Sequence, residues 1–347
     1  MPRSQAGSGP TFAQNWPAWV DHLERRHFQV MLPLTVSVAL GCLFATIPDT
    51  VQMVILLLAV SLLGLPHGSL DYLSGHSVFR PFFGRLWPVP FGFSYLGLMG
   101  LVVSGWLLAP ALSLIVFLVL AAGHFGIGDV QSELALGANT RFAHFGVALE
   151  AAARGALVIV VLIHMHPEAA SRLFAHLIPT SADAVYATVV TVSPRLAVVS
   201  GAMLAVVMAH HLGGWAEGVP EHGRIALEIA ALTALFCLAP PLIAFVVYFC
   251  CWHSFRHSMG QAAELDASSA KAGFLALLRH AWPATLGAIL MGAAGYVLLG
   301  AQTSREGVLW IVFVGLSALT VPHVLFSWLV HRAPEYRGEI RRPRTPL

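Results

Sequence analysis

The sequence predicts an all-α protein, a polytopic integral membrane bundle of about eight to ten transmembrane helices. Three observations predict it. The 347 residues are 57% hydrophobic and only 10% charged, where soluble domains carry roughly 25% charge. Mean hydropathy is +0.75. Apolar runs close to the roughly 20 residues that cross a bilayer recur along the whole chain. A chain this poor in charge cannot cover a water-facing surface. The net charge of +2 is too small to point to a nucleic-acid partner, so the lipid bilayer is the expected surrounding.

Taken in order, the runs are 28–48, 51–70, 91–109, 111–128, 143–165, 195–215, 226–252, 281–300 and 308–330. The third and fourth are nearly continuous and are punctuated by Pro110. Segments 72–88, 166–193 and 258–280 read as loops or surface helices. Residues 1–27 form a polar N-terminal tail without the pattern of a signal peptide. Residues 28–331 form the membrane-embedded unit, and 332–347 a basic C-terminal tail. Arg3, Arg25 and Arg26 place the N-terminus in the cytoplasm, and Arg332, Arg337, Arg341, Arg342 and Arg344 place the C-terminus there too. Both ends on one side demand an even number of spans, and nine is odd.

Histidine carries the chemistry. Seventeen histidines match seventeen acidic residues, and a histidine inside a membrane segment is costly unless paired or used. In "YFCCWHSFRH" (248–257), His253 and His257 stand one helical turn apart, about 5–6 Å at the Cβ atoms, so one metal ion can take both rings. The alternative is a helix end at the headgroups, with Arg256 reaching up to phosphate. In "GLPHGSLDY" (64–72), Pro66 frees a backbone carbonyl near His67. Asp71, one turn on, can accept the spare ring N–H of His67 or of a neighbouring ligand. "AAGHFGIGDV" (121–130) repeats the grammar with His124 and Asp129. His210 and His211 can add a ligand, but only one of two adjacent helical positions can face a given site, so at most one of them is expected to bind there. His323 follows Pro322 in the last run, as a supporting residue or a channel lining. His22, His27, His166, His222 and His331 fall in or near polar connectors and read as solvated. His144 has no assigned role.

The four cysteines, Cys42, Cys237, Cys250 and Cys251, lie in apolar runs. Neighbouring Cys250 and Cys251 lack the spacing and the second pair of a structural zinc site. An all-imidazole donor set suits iron, copper, zinc or nickel.

"GLPHGSLDY", "GHFGIGD" and "YFCCWHSFRH", in that order, resemble the Brp/Blh family of membrane β-carotene 15,15'-dioxygenases. The resemblance covers roughly residues 50–330, and Pro322–His323 resembles the family as well. It implies Fe(2+) held by His67, His124, His253 and His257, with Asp71, Asp129 and His323 supporting them. It implies β-carotene and O2 as substrates, two molecules of retinal as product, a functional link to a rhodopsin, and a multi-pass place in a bacterial inner membrane. Two other classes remain open. A membrane di-iron hydroxylase or desaturase carries repeated HxxxH and HxxHH boxes, whereas HxxxH occurs once here and HxxHH not at all. A transporter or a non-catalytic rhodopsin-assembly factor would form no retinal.

The same reading sets a geometric condition. Strict alternation of nine spans puts the ends near His67 and His124 on one side and the end near His253 on the other. Ligands of one ion must share one depth.

Overall fold

The computed structural model describes residues 16–135, 144–298 and 305–332, and these are almost entirely helical. Helix α1 (Ala18–Phe44) begins earlier than the apolar run at 28, because Val20 and Glu24 already pack inward. Helix α2 (Asp49–Ala59) passes through a π-helical turn (Val60–Gly64) into α3 (Leu65–Gly68) and α4 (Asp71–Phe83). After α5 (Pro88–Leu108) and α6 (Pro110–Ala135), α7 (His144–Ala156) runs through a second π turn (Leu157–Val161) into α8 (Leu162–Met165). Next come α9 (Pro167–Leu177), α10 (Ala182–Ala216) and α11 (Pro220–Leu238). Helix α12 (Pro241–Val246), a third π turn (Val247–His253) and α13 (Ser254–Leu265) form one rod, which leads to α14 (Ala270–Leu298) and α15 (Arg305–Arg332).

Proline sets many of the starts. Pro88, Pro110, Pro167, Pro220 and Pro241 each stand at the first helical position, where the missing N–H is no loss. The apolar stretch around Pro110 is thus two helices, which meet at Ala109 with φ −143° and ψ 63°. Of the two readings offered for 72–88, 166–193 and 258–280, loops or surface helices, the structure shows largely helix, in α4, α9, α10, α13 and α14.

Among the described residues, eight helical segments are long and apolar enough to cross a membrane. The chain is a multi-pass membrane protein. The run 226–252 is the one that does not stand as a single span. It divides where Ala239 (ψ 148°) and Pro240 (ψ 144°) adopt extended backbone, since two successive prolines cannot feed an α-helical ladder. Removing it leaves the even count that the terminal arginines require. The two pieces, α11 and the α12–α13 rod, are the most buried parts of the bundle, with Leu235, Phe236, Tyr248 and Trp252 essentially inaccessible. Around them, α5, α6, α10 and α14 turn large apolar side chains outward, among them Leu101, Ile115, Val198 and Val297. Exposed apolar surface on this scale marks a lipid-facing wall.

Helices α6 and α7 approach most closely. Ala122 and Gly126 on one, with Ala151 and Gly155 on the other, form a four-residue spacing of small residues that lets backbones touch. A Cβ on Gly126 would stand 1.8 Å from the Ala151 carbonyl oxygen, and one on Gly155 would stand 2.0 Å from that of Ala122. Gly155→Ala is therefore expected to push the helices apart and destabilise the protein by about 1–3 kcal/mol or more. Thermal unfolding of the detergent-solubilised chain reads this as a lowered midpoint, and an unchanged midpoint would contradict the contact.

Candidate metal centre

The first local device is the turn around Pro66. The π turn before it carries a Leu65 N–H to Val60 O hydrogen bond, one residue longer than the α-helical span. The carbonyl of Gly64 accepts from the Nδ1–H of His67; it is not the carbonyl that Pro66 frees, because a missing N–H at 66 leaves an acceptor one turn earlier, at Leu62. The ring of His67 is thereby fixed with Nε2 pointing away from its own helix. The Gln261 side chain holds the same turn by donating to the His67 carbonyl at 2.8 Å.

The second device is a pair of Tyr–Asp–His relays. Tyr248 Oη donates to Asp129 at 2.8 Å, and the other oxygen of Asp129 stands 3.2 Å from His253 Nδ1. Tyr95 Oη donates to Asp71 at 2.8 Å, and Asp71 stands 2.7 Å from His323 Nδ1. Each carboxylate takes the Nδ1–H of one imidazole and leaves its Nε2 as the lone-pair donor. Asp71 thus serves His323 rather than His67, whose Nδ1 is already taken by Gly64.

The rings converge. His67, His124 and His323 each offer a ring nitrogen within 4.8 Å of the other two. His253 Nε2 lies 3.2 Å from His124 Nε2. Ring centroids of His253 and His257 are 4.6 Å apart, and the His257 centroid lies 6.0 Å from that of His67 and 6.1 Å from that of His124. His257 Nε2 is buried without a hydrogen-bond partner, which is costly in an apolar interior unless a ligand completes it. Gly128 lets the two rings pack against its helix, since a Cβ there would stand 2.7 Å from that same nitrogen and 3.0 Å from the His253 ring.

All four sequence-predicted ligands, His67, His124, His253 and His257, therefore come together, and Asp71 and Asp129 stand behind neighbouring rings. The condition of equal depth is met because the histidines lie within their helical rods and not at the ends. Helix α6 continues past His124 to Ala135, and the α12–α13 rod runs on past His257 to Leu265. His323 belongs among the converging rings themselves. Its signal was Pro322–His323 inside an apolar run, but no spacing on its own helix could pair it with a partner far away in sequence.

Arg256 corrects the reading of a headgroup anchor. It is 4% exposed and donates to both oxygens of Glu228, at 2.7 and 2.5 Å, and to Glu24 at 3.2 Å. Arg224 donates to Glu24 at 2.9 Å, and Arg154 stands 3.6 Å from Glu228 and 3.0 Å from Glu150. A charge in the bundle interior survives only when paired. His27 and His222 were expected to be solvated and are buried, with His27 Nε2 2.7 Å from the Cys251 carbonyl oxygen. His166 is half-buried, with Nε2 3.1 Å from the Phe236 carbonyl oxygen. Polar sequence neighbours mislead here because those neighbours are themselves folded inward. His22 is exposed. His210 and His211 lie apart from the converging rings, and the side chains of His144 and His331 lie outside the described residues. Cys250 is buried in the apolar core, and the four cysteines form no disulfide.

His67, His124 and His323 close one part of an apolar cavity of about 400 Å³, walled by Phe91, Phe117, Phe245 and Phe313 and by α14 at Gly287 and Ala288. A cluster of neutral imidazoles under an apolar cavity can bind a metal and hold a hydrophobic molecule against it.

The family model described as "Beta-carotene 15,15'-dioxygenase" matches residues 58–330. The chain belongs to this family. Among curated relatives, the "Beta-carotene 15,15'-dioxygenase" of uncultured marine bacterium 66A03 is 27% identical over 298 residues, covering 81% of this chain and 95% of the relative. The "Probable beta-carotene 15,15'-dioxygenase Blh" of Halobacterium salinarum is 28% identical over 291 residues, covering 77% and 81%. No solved structure matches. The matched span takes in all five converging histidines. His323→Ala is expected to weaken metal retention roughly tenfold or more, and Asp71→Asn to weaken it less. Metal analysis of the purified variants checks this, and wild-type retention in His323→Ala would remove that ring from the donor set.

Proposed function

We propose that the chain cleaves the central 15,15' double bond of β-carotene with O2, giving two molecules of all-trans-retinal, and that Fe(2+) is its cofactor. The observation that carries the reading is the convergence of five imidazoles, three of them lining an apolar cavity, in a chain of this family. His67, His124, His253 and His257 hold the ion, and His323 is the fifth donor. The buried Nε2 of His257, without a hydrogen-bond partner, fits such an occupant. Iron, when bound, supplies the activation of O2.

The protein's own share is positional. Asp129 and Asp71 hold the rings of His253 and His323 with Nε2 presented to a common point. The aromatic side chains of the wall offer a polyene flat apolar faces to pack against, and a substrate packed there would keep water from the reacting bond. Binding along the cavity aligns the central bond, so that positioning, not an acid or base, is what the side chains contribute. The substrate is lipid-soluble, and a second apolar cavity gives it a lateral path. That cavity lies between α2, α14 and α15 and shares Leu65, Ala288, Leu316 and Leu319 with the first. We place the protein in the bacterial inner membrane, where its retinal supplies a rhodopsin.

Expression in a β-carotene-producing bacterium tests the assignment, with pigment and retinal measured by chromatography. The wild-type chain is expected to bleach the cells and accumulate retinal, and His253→Ala or His257→Ala to abolish both. An iron-loaded wild-type chain that leaves β-carotene intact sinks the substrate assignment. The lateral path carries its own expectation. Ala288→Phe narrows the shared mouth and should lower kcat/KM roughly tenfold or more with iron content unchanged. Wild-type kinetics in that variant would mean that substrate arrives by another route.

A further inference from the structure

A second group of histidines lies outside the centre described above. Near the end of α10, His210 and His211 face His222 at the start of α11 across the hairpin 217–219. The three ring centroids form a nearly equilateral triangle with sides of 5.1, 5.1 and 5.0 Å. Each residue offers one ring nitrogen within 4.8 Å of the other two. We propose that these three imidazoles are a second metal site, for a borderline divalent cation of the zinc class, with one position left for water.

Three features support an ion rather than simple packing. His211 is fully buried, and its Nε2–H faces Glu150 at 3.2 Å. That carboxylate fixes the tautomer with the Nδ1 lone pair aimed at the triangle, as it does for metal-bound histidines. His222 Nδ1 stands 2.8 Å from His211 Nδ1. A single hydrogen bond between the two would join two rings, yet a third ring stands equally close to both. The hairpin is also shaped around His222, because a Cβ on Gly214 would lie 2.6 Å from its ring. Three neutral nitrogens with an open fourth position suit zinc. The expectation that only one of two adjacent helical positions can face a site does not hold here, since the His210 and His211 rings stand 5.1 Å apart and each offers a nitrogen within 4.8 Å of the other and of His222.

The test uses the full-length chain, stripped of metal and titrated with Co(2+) as a spectroscopic probe. The wild type is expected to bind about one equivalent more than the His210→Gln/His222→Gln variant, with tetrahedral d–d absorption that the variant lacks. The difference should persist when both carry His124→Ala, which separates this site from the first centre. Equal stoichiometry in the wild type and the double variant overturns the proposal. Should the double variant fail to fold, the wild type alone decides. Added Zn(2+) should slow diethyl pyrocarbonate modification of His210 about tenfold or more, by mass action at a saturated site. An unchanged modification rate refutes the site.

Discussion

A polar group inside an apolar bundle has no water to fall back on, and every part of this structure answers to that constraint. The ring N–H of His67 is given to a backbone carbonyl, and those of His253 and His323 to carboxylates. The carboxylates are in turn held by Tyr248 and Tyr95. Once each Nδ1 is satisfied, the Nε2 atoms are left to face one another. The arrangement that satisfies the interior is thus the same one that assembles a donor set.

The charges obey the same rule on a larger scale. Arg256 lies on the rod that carries His253 and His257 and is clamped by Glu228 from α11 and by Glu24 from α1. Arg154 of α7 joins Glu228 to Glu150, and Glu150 meets His211 of α10. One connected chain of side chains therefore ties five helical elements together behind the His253–His257 pair. Breaking a buried pair of this kind typically costs about 3–5 kcal/mol, because the surviving charge is left alone in a low dielectric. The network's contribution is to fix the rod's rotation and depth, on which the placing of the His253 and His257 rings depends.

The helices are irregular where function concentrates. Two of the three π turns stand at the site, one just before His67 and one ending on His253. A π turn inserts an extra residue into the ladder and rotates the next stretch of helix. Here it lets a rod packed tightly on one side present its histidines on the other. The cavity beside them is apolar because it continues the lipid-facing character of the bundle inward.

Composition and hydropathy alone determined the class of this protein, because an almost chargeless chain has no soluble solution. Local spacing determined more than that. Pro66 marked the broken turn beside His67, and the four-residue interval of His253 and His257 announced two rings on one helix face. The ordered motifs pointed to the family that the matched span then showed. Tertiary structure alone decided which partner each group takes. Asp71 reaches His323, Arg256 turns inward to Glu228, and His222 closes on His210 and His211 across a hairpin. Each of these pairs joins different helices, and one-dimensional periodicity reports only which face of its own helix a residue occupies. Depth was hidden for the same reason. Apolar runs mark where a helix meets lipid, not where it ends. Histidines drawn at the ends of runs therefore turned out to sit within rods that continue through buried polar residues.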